Sequence, residues 1–398
     1  MNKSSDTTFE ELGVAPQFVE MLLSQTIVAP TAIQRLAIPR ILGGETLVVK
    51  SQTGSGKSLA YLLPLLQCLV DDGSRRALIL LPTRELVLQV TRVVTSIITT
   101  LPIATIYGGV EYALQRETLA AAPRLVIATP GRLEDFISQG VEGLSGFDSF
   151  VLDEVDQMVD LGFREVIERL SALRAATAQT LCFSATLSQS VKEVVESVVG
   201  QVELVEDRAA PLAAQQIVQS VYYVEQSMMD HLLLHLLRTK QPTRAILFCR
   251  SRKMADRLSE LLRANSFSAE AIHSERSQAA REYILQRFHD AETTLLVATD
   301  LMARGIDVDG VSHVFNFGLP QSPDQYIHRI GRTGRAGASG EAITMLCADE
   351  RKLLDATCST MRQHIAVNYA HPYMTPAITS ALSQGSKPKS KSKRRGSR

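Results

Sequence analysis

The chain has 398 residues, enough for two or three domains with sizeable cores, and its 45% hydrophobic and 21% charged content is globular and excludes global disorder. Its 42 basic and 42 acidic residues cancel, but Ser386–Arg398 holds seven bases and no acid, so the rest is mildly acidic and any nucleic-acid site there is a local groove. Five scattered cysteines without a Cys-x-x-Cys pair argue against zinc and a disulfide framework; a polar start and no apolar run near the roughly 18 residues of a span argue against a signal peptide and a membrane segment, and point to the cytoplasm.

In chain order, Phe18–Leu23 reads as a short helix. Pro30 breaks it, Thr31 is a plausible N-cap, and Gln34 carries an amide able to donate and accept at an adenine edge. Leu47-Val48-Val49 then forms a buried-strand run, followed by the small-residue loop Ser51–Gly56 and a helical pattern from Leu59. Strand, glycine loop and helix N-terminus come in the order that a phosphate site needs. Gly54 and Gly56 let backbone N–H groups close round an anion, Lys57 adds a positive charge, and Ser58 offers a hydroxyl for Mg²⁺. Ser51 stands where the strict phosphate-loop pattern has glycine, so the match is a variant.

Beyond the loop, strand-like runs at Ala77–Leu81, Leu125–Thr129, Phe150–Leu152 and Thr180–Phe183 alternate with helical patterns, which implies a parallel sheet covered by helices on both faces. Ligands of such sheets bind at the carboxyl ends of the strands, and the polar motifs fall there. Pro82-Thr83-Arg84-Glu85, Gly108-Gly109 and Thr129-Pro130-Gly131-Arg132 supply hydroxyls, free N–H groups and guanidiniums suited to a phosphodiester backbone. Any one of these alone reads equally as a turn or cap. Asp153-Glu154-Val155-Asp156 ends a strand; Asp153 suits a metal held through water and Glu154 an attacking water. Ser184-Ala185-Thr186 closes the last run with two hydroxyls.

The second half repeats the alternation at Arg244–Phe248, Thr294–Ala298, His313–Phe317 and Ala342–Leu346. These runs frame Gln278-x-x-Arg281, the stretch Thr299–Asp307, and Tyr326-Ile327-His328-Arg329-Ile330-Gly331-Arg332-Thr333-Gly334-Arg335. Arg208–Ala214 lacks an amphipathic period and reads as a flexible linker or a short packed helix; the Ser/Lys/Arg tail is an RNA tether or a solvated terminus. The expected organisation is a first domain over 1–205, a linker over 206–216, a second domain over 217–365, and an extension with a disordered basic tail over 366–398.

Taken together, Ser-Gln-Thr-Gly-Ser-Gly-Lys-Ser, Pro-Thr-Arg-Glu-Leu, Thr-Pro-Gly-Arg, Asp-Glu-Val-Asp, Ser-Ala-Thr and the second-half motifs resemble the DEAD-box ATP-dependent RNA helicase family, from about Phe9 to Leu346. The resemblance implies an α/β fold of two tandem RecA-like domains and an RNA-dependent ATPase using ATP and Mg²⁺. By similarity, Phe9 and Gln34 clasp adenine. Ser51, Gln52, Thr53, Gly54, Ser55, Gly56, Lys57 and Ser58 serve the phosphates, with Ser58 and Asp153 on the metal. Glu154 handles the attacking water and Asp307 the ribose. Arg332 and Arg335 act as arginine fingers, while His328 and Ser184/Thr186 link the halves. RNA crosses Thr83, Arg84, Gly109, Thr129 and Arg132 on one side and Arg250, Thr299 and Arg304 on the other. Thr26-Ile27 departs from the family's Gly plus aromatic, Val155 replaces Ala, and Ser58 replaces the commoner Thr.

The absence of Trp and 5% aromatics make a base-stacking platform hard to build, so backbone recognition with little sequence preference is expected, on single strands and short duplexes. A monomer is expected, with partners in ribosome assembly or RNA decay as further candidates. A slow non-catalytic RNA clamp and a DNA translocase of the same superfamily are the rival readings.

Overall fold

The computed structural model describes residues 7–51, 54–206, 217–300, 310–334, 339–361 and 363–384. Gln52, Thr53, Arg304, Asp307, Arg335, most of the 206–216 linker and the basic tail lie outside the described residues.

The chain divides into two compact units, Met1–Leu212 and Ala213–Arg398. The first holds a seven-stranded sheet of β1 (Leu47–Lys50), β2 (Ala77–Leu80), β3 (Ile103–Ile106), β4 (Leu125–Ala128), β5 (Phe147–Leu152), β6 (Arg174–Ser184) and β7 (Leu204–Glu206). Every pairing is parallel, in the order β3-β4-β2-β5-β6-β1-β7. Because successive side chains of a strand point to opposite faces, each strand feeds two cores. Leu47, Val49, Ala77 and Ile79 join the core under the helices Pro16–Ser24, Ala32–Leu42, Lys57–Asp71 and Arg84–Ile97; Val48, Leu78 and Leu80 join the one under Pro130–Ser138, Val155–Asp160, Arg164–Leu170 and Gln189–Val199. Both faces are thus covered, which is why the strands read as continuous apolar runs.

The second unit repeats the plan with β8 (Ile217–Tyr223), β9 (Ala245–Cys249), β10 (Ala269–Ile272), β11 (Leu295–Thr299), β12 (His313–Phe317), β13 (Gly340–Leu346) and β14 (Ala366–Val367), all parallel, in the order β10-β11-β9-β12-β13-β8-β14. Strands β9 and β11 start one residue later than their runs suggest; before β9, Arg244 donates from its guanidinium to the Phe288 and His289 carbonyls. Strands β3, β7, β8, β10 and β14 were not among the runs read as strands; β10, Ala-Glu-Ala-Ile, and the two-residue β14 are weak by propensity. The extension after residue 365 is partly structured, with β14 on β8 and a last helix, Pro376–Gln384.

Candidate active site

The first sheet's order sorts the motifs along a single carboxyl edge. Adjacent strands β5, β6 and β1 end in Asp153-Glu154, Ser184 and Ser51, and adjacent β3, β4 and β2 lead to Gly108-Gly109, Thr129 and Thr83. Two neighbouring stretches result, one carrying the acid pair and the glycine loop, the other the threonines and the glycine turn.

In the phosphate loop, Gly54 and Gly56 have φ of 78° and 88°. That left-handed backbone suits glycine, and a Cβ on Gly56 would also fall 2.5 Å from Gln34 Nε2. Gln34 is 2% exposed and bridges two motifs: its Oε1 accepts from the Thr31 N–H at 2.8 Å in a capping box, and its Nε2 donates to the Gly56 carbonyl at 3.0 Å. The N-cap reading of Thr31 holds, and the Gln34 amide is engaged by the protein at both ends. Phe9 is 1% exposed and packed in the core. The Ser51 N–H donates to the Ser184 carbonyl at 2.9 Å, and the hydroxyls of Ser51 and Ser55 pair.

Lys57 Nζ lies 3.2 Å from Glu154 Oε1, both side chains buried. Burial pulls the ammonium's pKa down, but Glu154, Asp153 and Asp156 outweigh it and hold it above the ordinary lysine value. Asp153 is pushed up to about 6 by burial, against the pull of Lys57 and with the push of Glu154. Its Oδ2 accepts from the Tyr61 hydroxyl at 3.0 Å and its Oδ1 from the Glu154 N–H at 2.9 Å. Burial and the Asp153 carboxylate together raise Tyr61 well above its ordinary value, while a hydrogen bond with Ser58 opposes them. A buried carboxylate whose pKa is raised, sharing the Tyr61 hydroxyl with Ser58, is a hard-oxygen donor set whose charged form an added divalent cation would favour. The residues present therefore fit Mg²⁺.

Glu154 itself sits at φ 55° and ψ 50°, left-handed for a non-glycine residue, as N-cap of Val155–Asp160. Such strain concentrates at functional positions. Gln157 Nε2 donates to Glu154 Oε2 at 3.0 Å and fixes its carboxylate. Asp156 Oδ2 accepts from both the N–H and the hydroxyl of Thr186, at 2.9 and 3.0 Å, and the Asp156 N–H donates to Ser184 Oγ at 3.3 Å. The Ser-Ala-Thr hydroxyls thus grip the acid motif inside the first unit. Sequence reading passed over Tyr61 and Gln157, although each stands three residues along the chain from a side chain it bonds, Ser58 and Glu154.

On the neighbouring stretch, Thr83 caps Arg84–Ile97, accepting from the Leu86 N–H at 3.3 Å. A Cβ built on Gly109, whose φ is 87°, would lie 2.2 Å from Arg84 Nη1, so only glycine lets the guanidinium cross the turn. Thr129 is 8% exposed at the start of Pro130–Ser138. Arg132 is 6% exposed and committed to the protein: Nε donates to the Tyr107 carbonyl at 3.1 Å, Nη2 to that of Val110. It shapes the glycine turn.

In the second unit Arg250 follows β9 and donates to the Leu319 carbonyl at 3.3 and 3.2 Å, with Glu350 as ion partner, while Thr299 ends β11. Arg332 is 5% exposed, its Nε donating to the His328 carbonyl at 3.3 Å, and His328 is 4% exposed. The residue that anchors this segment was not singled out from sequence. Arg329, 1% exposed, pairs with Asp300 Oδ2 at 2.8 Å, donates to Asn316 Oδ1 at 3.3 Å and the Gly318 carbonyl at 3.1 Å, and lies over Phe248. A guanidinium's five donors suit such a many-sided buried site.

Residues 31–194 match the DEAD/DEAH box helicase family, and residues 228–337 match the helicase conserved C-terminal domain. The chain is 37% identical over 347 residues to "DEAD-box ATP-dependent RNA helicase CshA" of Geobacillus kaustophilus, covering 86% of this chain and 74% of that one. It is 39% identical over 359 residues to "ATP-dependent RNA helicase SrmB" of Escherichia coli, covering 87% and 80%. Against CshA of Bacillus cereus the identity is 36%, and the chain spans 66% of that protein's length. Among solved structures it resembles the DEAD-box helicase Mss116 bound to ssRNA and UDP-BeF, with TM-score 0.82 and 27% identity over 95% of this chain and 83% of that one. It likewise resembles S. cerevisiae Dbp5 bound to RNA and ADP BeF3, with TM-score 0.82 and 25% identity over 94% and 99%.

Proposed function

The chain belongs to the DEAD-box family of ATP-dependent RNA helicases, enzymes that hydrolyse ATP in an RNA-dependent manner, and from that membership we propose that it locally opens short RNA duplexes or remodels RNA–protein complexes by ATP- and RNA-driven closure of its two RecA-like domains. The observation that carries this reading is the buried Lys57–Glu154 pair at the ends of β1 and β5, beside the glycine turn crossed by Arg84.

Before nucleotide arrives, the cation and the base neutralise each other. The terminal phosphates of ATP compete for Lys57, and the loop N–H groups after Ser51 add a positive cradle. When Lys57 turns to the phosphates, Gln157 still orients the Glu154 carboxylate, which then accepts a proton from the attacking water. Ser58 and Asp153 would hold Mg²⁺, which neutralises phosphate charge when bound. Asp156, clamped by Thr186, ties the end of β6 to the same acids. Arg332 and Arg335 act as arginine fingers from the second domain, a contribution of about 10³ to 10⁵ in rate. Hydrolysis is then conditional on closure, and loss of the terminal phosphate releases the RNA.

RNA phosphates and 2′-hydroxyls lie along Thr83, Arg84, Gly109 and Thr129, with Arg250, Thr299 and Arg304 on the second domain. Phosphate release measured without nucleic acid, with single-stranded RNA and with single-stranded DNA tests the reading. RNA is expected to stimulate and DNA not; equal stimulation would favour a DNA translocase, and no stimulation a clamp.

A further inference from the structure

The first unit's RNA-side edge contains an aromatic ring that no motif and no catalytic step uses. Tyr112 opens the helix Tyr112–Ala120, three residues after Gly109, and is 39% exposed. The Arg132 guanidinium covers one face of the ring, 3.8 Å from its centroid. Phe136 meets the ring at 5.3 Å and 65°, edge to face, and the phenol donates to Asp135 Oδ2 at 2.9 Å. Arg132, Phe136 and Asp135 hold the ring at three points, so its plane is fixed while the residue stays 39% exposed. Arg132 is itself pinned by the Tyr107 and Val110 carbonyls, on either side of Gly108-Gly109. The same guanidinium therefore sets both the glycine turn and the ring.

We propose that the open face of Tyr112 stacks one base of the RNA strand that passes the Gly108-Gly109 turn, an inference that rests on the RNA reading above. Every base has a π-face, so a single rigid ring adds affinity at one nucleotide without reading a hydrogen-bond pattern. Because the ring is already immobilised by its back contacts, little side-chain freedom is lost when the base arrives. Purines cover more of the ring than pyrimidines, so a purine preference is expected at this position. Low aromatic content limits the number of such contacts, not their existence: one ring serves one base.

The test uses the full chain and a series of short RNAs carrying 2-aminopurine at a single, stepped position, with matching RNAs abasic at that position. Stacking quenches the fluorescence at one position in the wild type, and Tyr112→Leu abolishes that quench. Tyr112→Leu weakens binding of intact RNA about 5- to 100-fold and leaves binding of the abasic RNA unchanged. Tyr112→Trp, which does not truncate the ring, keeps the quench and tightens intact RNA only. RNA binding by the wild type with no position quenched, or an equal loss on intact and abasic RNA in Tyr112→Leu, overturns the stacking and leaves Tyr112 as a support for Arg132. Failure of the wild type to bind any of the RNAs overturns the RNA reading itself.

Discussion

Lys57 Nζ and Glu154 Oε1 stand 3.2 Å apart, both buried, so the cation proposed to bind phosphate and the proposed base are each other's partner. An ion pair buried this deeply is held by its surroundings, and removing Glu154 leaves Lys57 with the lesser pull of Asp153 and Asp156.

Glu154→Gln relieves Lys57 of its partner while keeping the shape of the side chain. Turnover is expected to fall about 10²- to 10⁴-fold, with nucleotide affinity maintained or tightened. Phosphate release and titration with a fluorescent nucleotide check this, and hydrolysis at the wild-type rate would remove Glu154 from its role.

Asp153 makes the site sensitive to pH. Its folded pKa is raised to about 6 by burial, above the ordinary 3.8, so folding takes up a proton. The sign follows from linkage: this stabilising contribution is complete below about 3.8 and is lost as pH rises through about 6. A divalent metal needs the ionised form, so Mg²⁺ binding releases a proton and weakens below pH of about 6. Calorimetric titration with Mg²⁺–nucleotide in buffers of differing ionisation enthalpy would detect the proton; heats independent of buffer at pH 6 would contradict the assignment.

Gly109→Ala forces a Cβ to 2.2 Å from Arg84 Nη1 at a φ of 87°. The guanidinium must leave the turn, and a lost charge-assisted contact of about 1.5–3 kcal/mol corresponds to roughly 10- to 100-fold weaker RNA binding. Fluorescence anisotropy on single-stranded RNA measures it. Retention of wild-type affinity would place the RNA elsewhere.

Thr26 has φ 63°, a left-handed conformation that costs a β-branched residue about 1–2 kcal/mol. Thr26→Gly relieves that cost but loosens the unfolded chain, for a net gain of about 1 kcal/mol. A higher urea midpoint with an unchanged slope is the expected result, and a lower midpoint would mean that the Thr26 hydroxyl bond to the Gln25 carbonyl outweighs the backbone strain.

The strands with continuous apolar runs, the phosphate loop, the acid pair and the arginine-rich motifs were legible in the sequence, because each is a local pattern: a run buried on two faces, or polar groups at a strand end. The short strands β3, β10 and β14 were not, since their pairing comes from neighbours distant in the chain and not from their own residues. The direction in which each arginine points was equally hidden. Arg84 crosses an open glycine turn, Arg132 backs a tyrosine and two carbonyls, and Arg329 is swallowed by Asp300 and Asn316, although all three read as basic residues in motifs. By itself the sequence determined which chemical groups stand at the carboxyl edge, through strand ends and glycine spacing. Only the tertiary structure decided which of them pair with one another, because hydrogen bonds and ion pairs in a buried site depend on distances that contacts far along the chain impose.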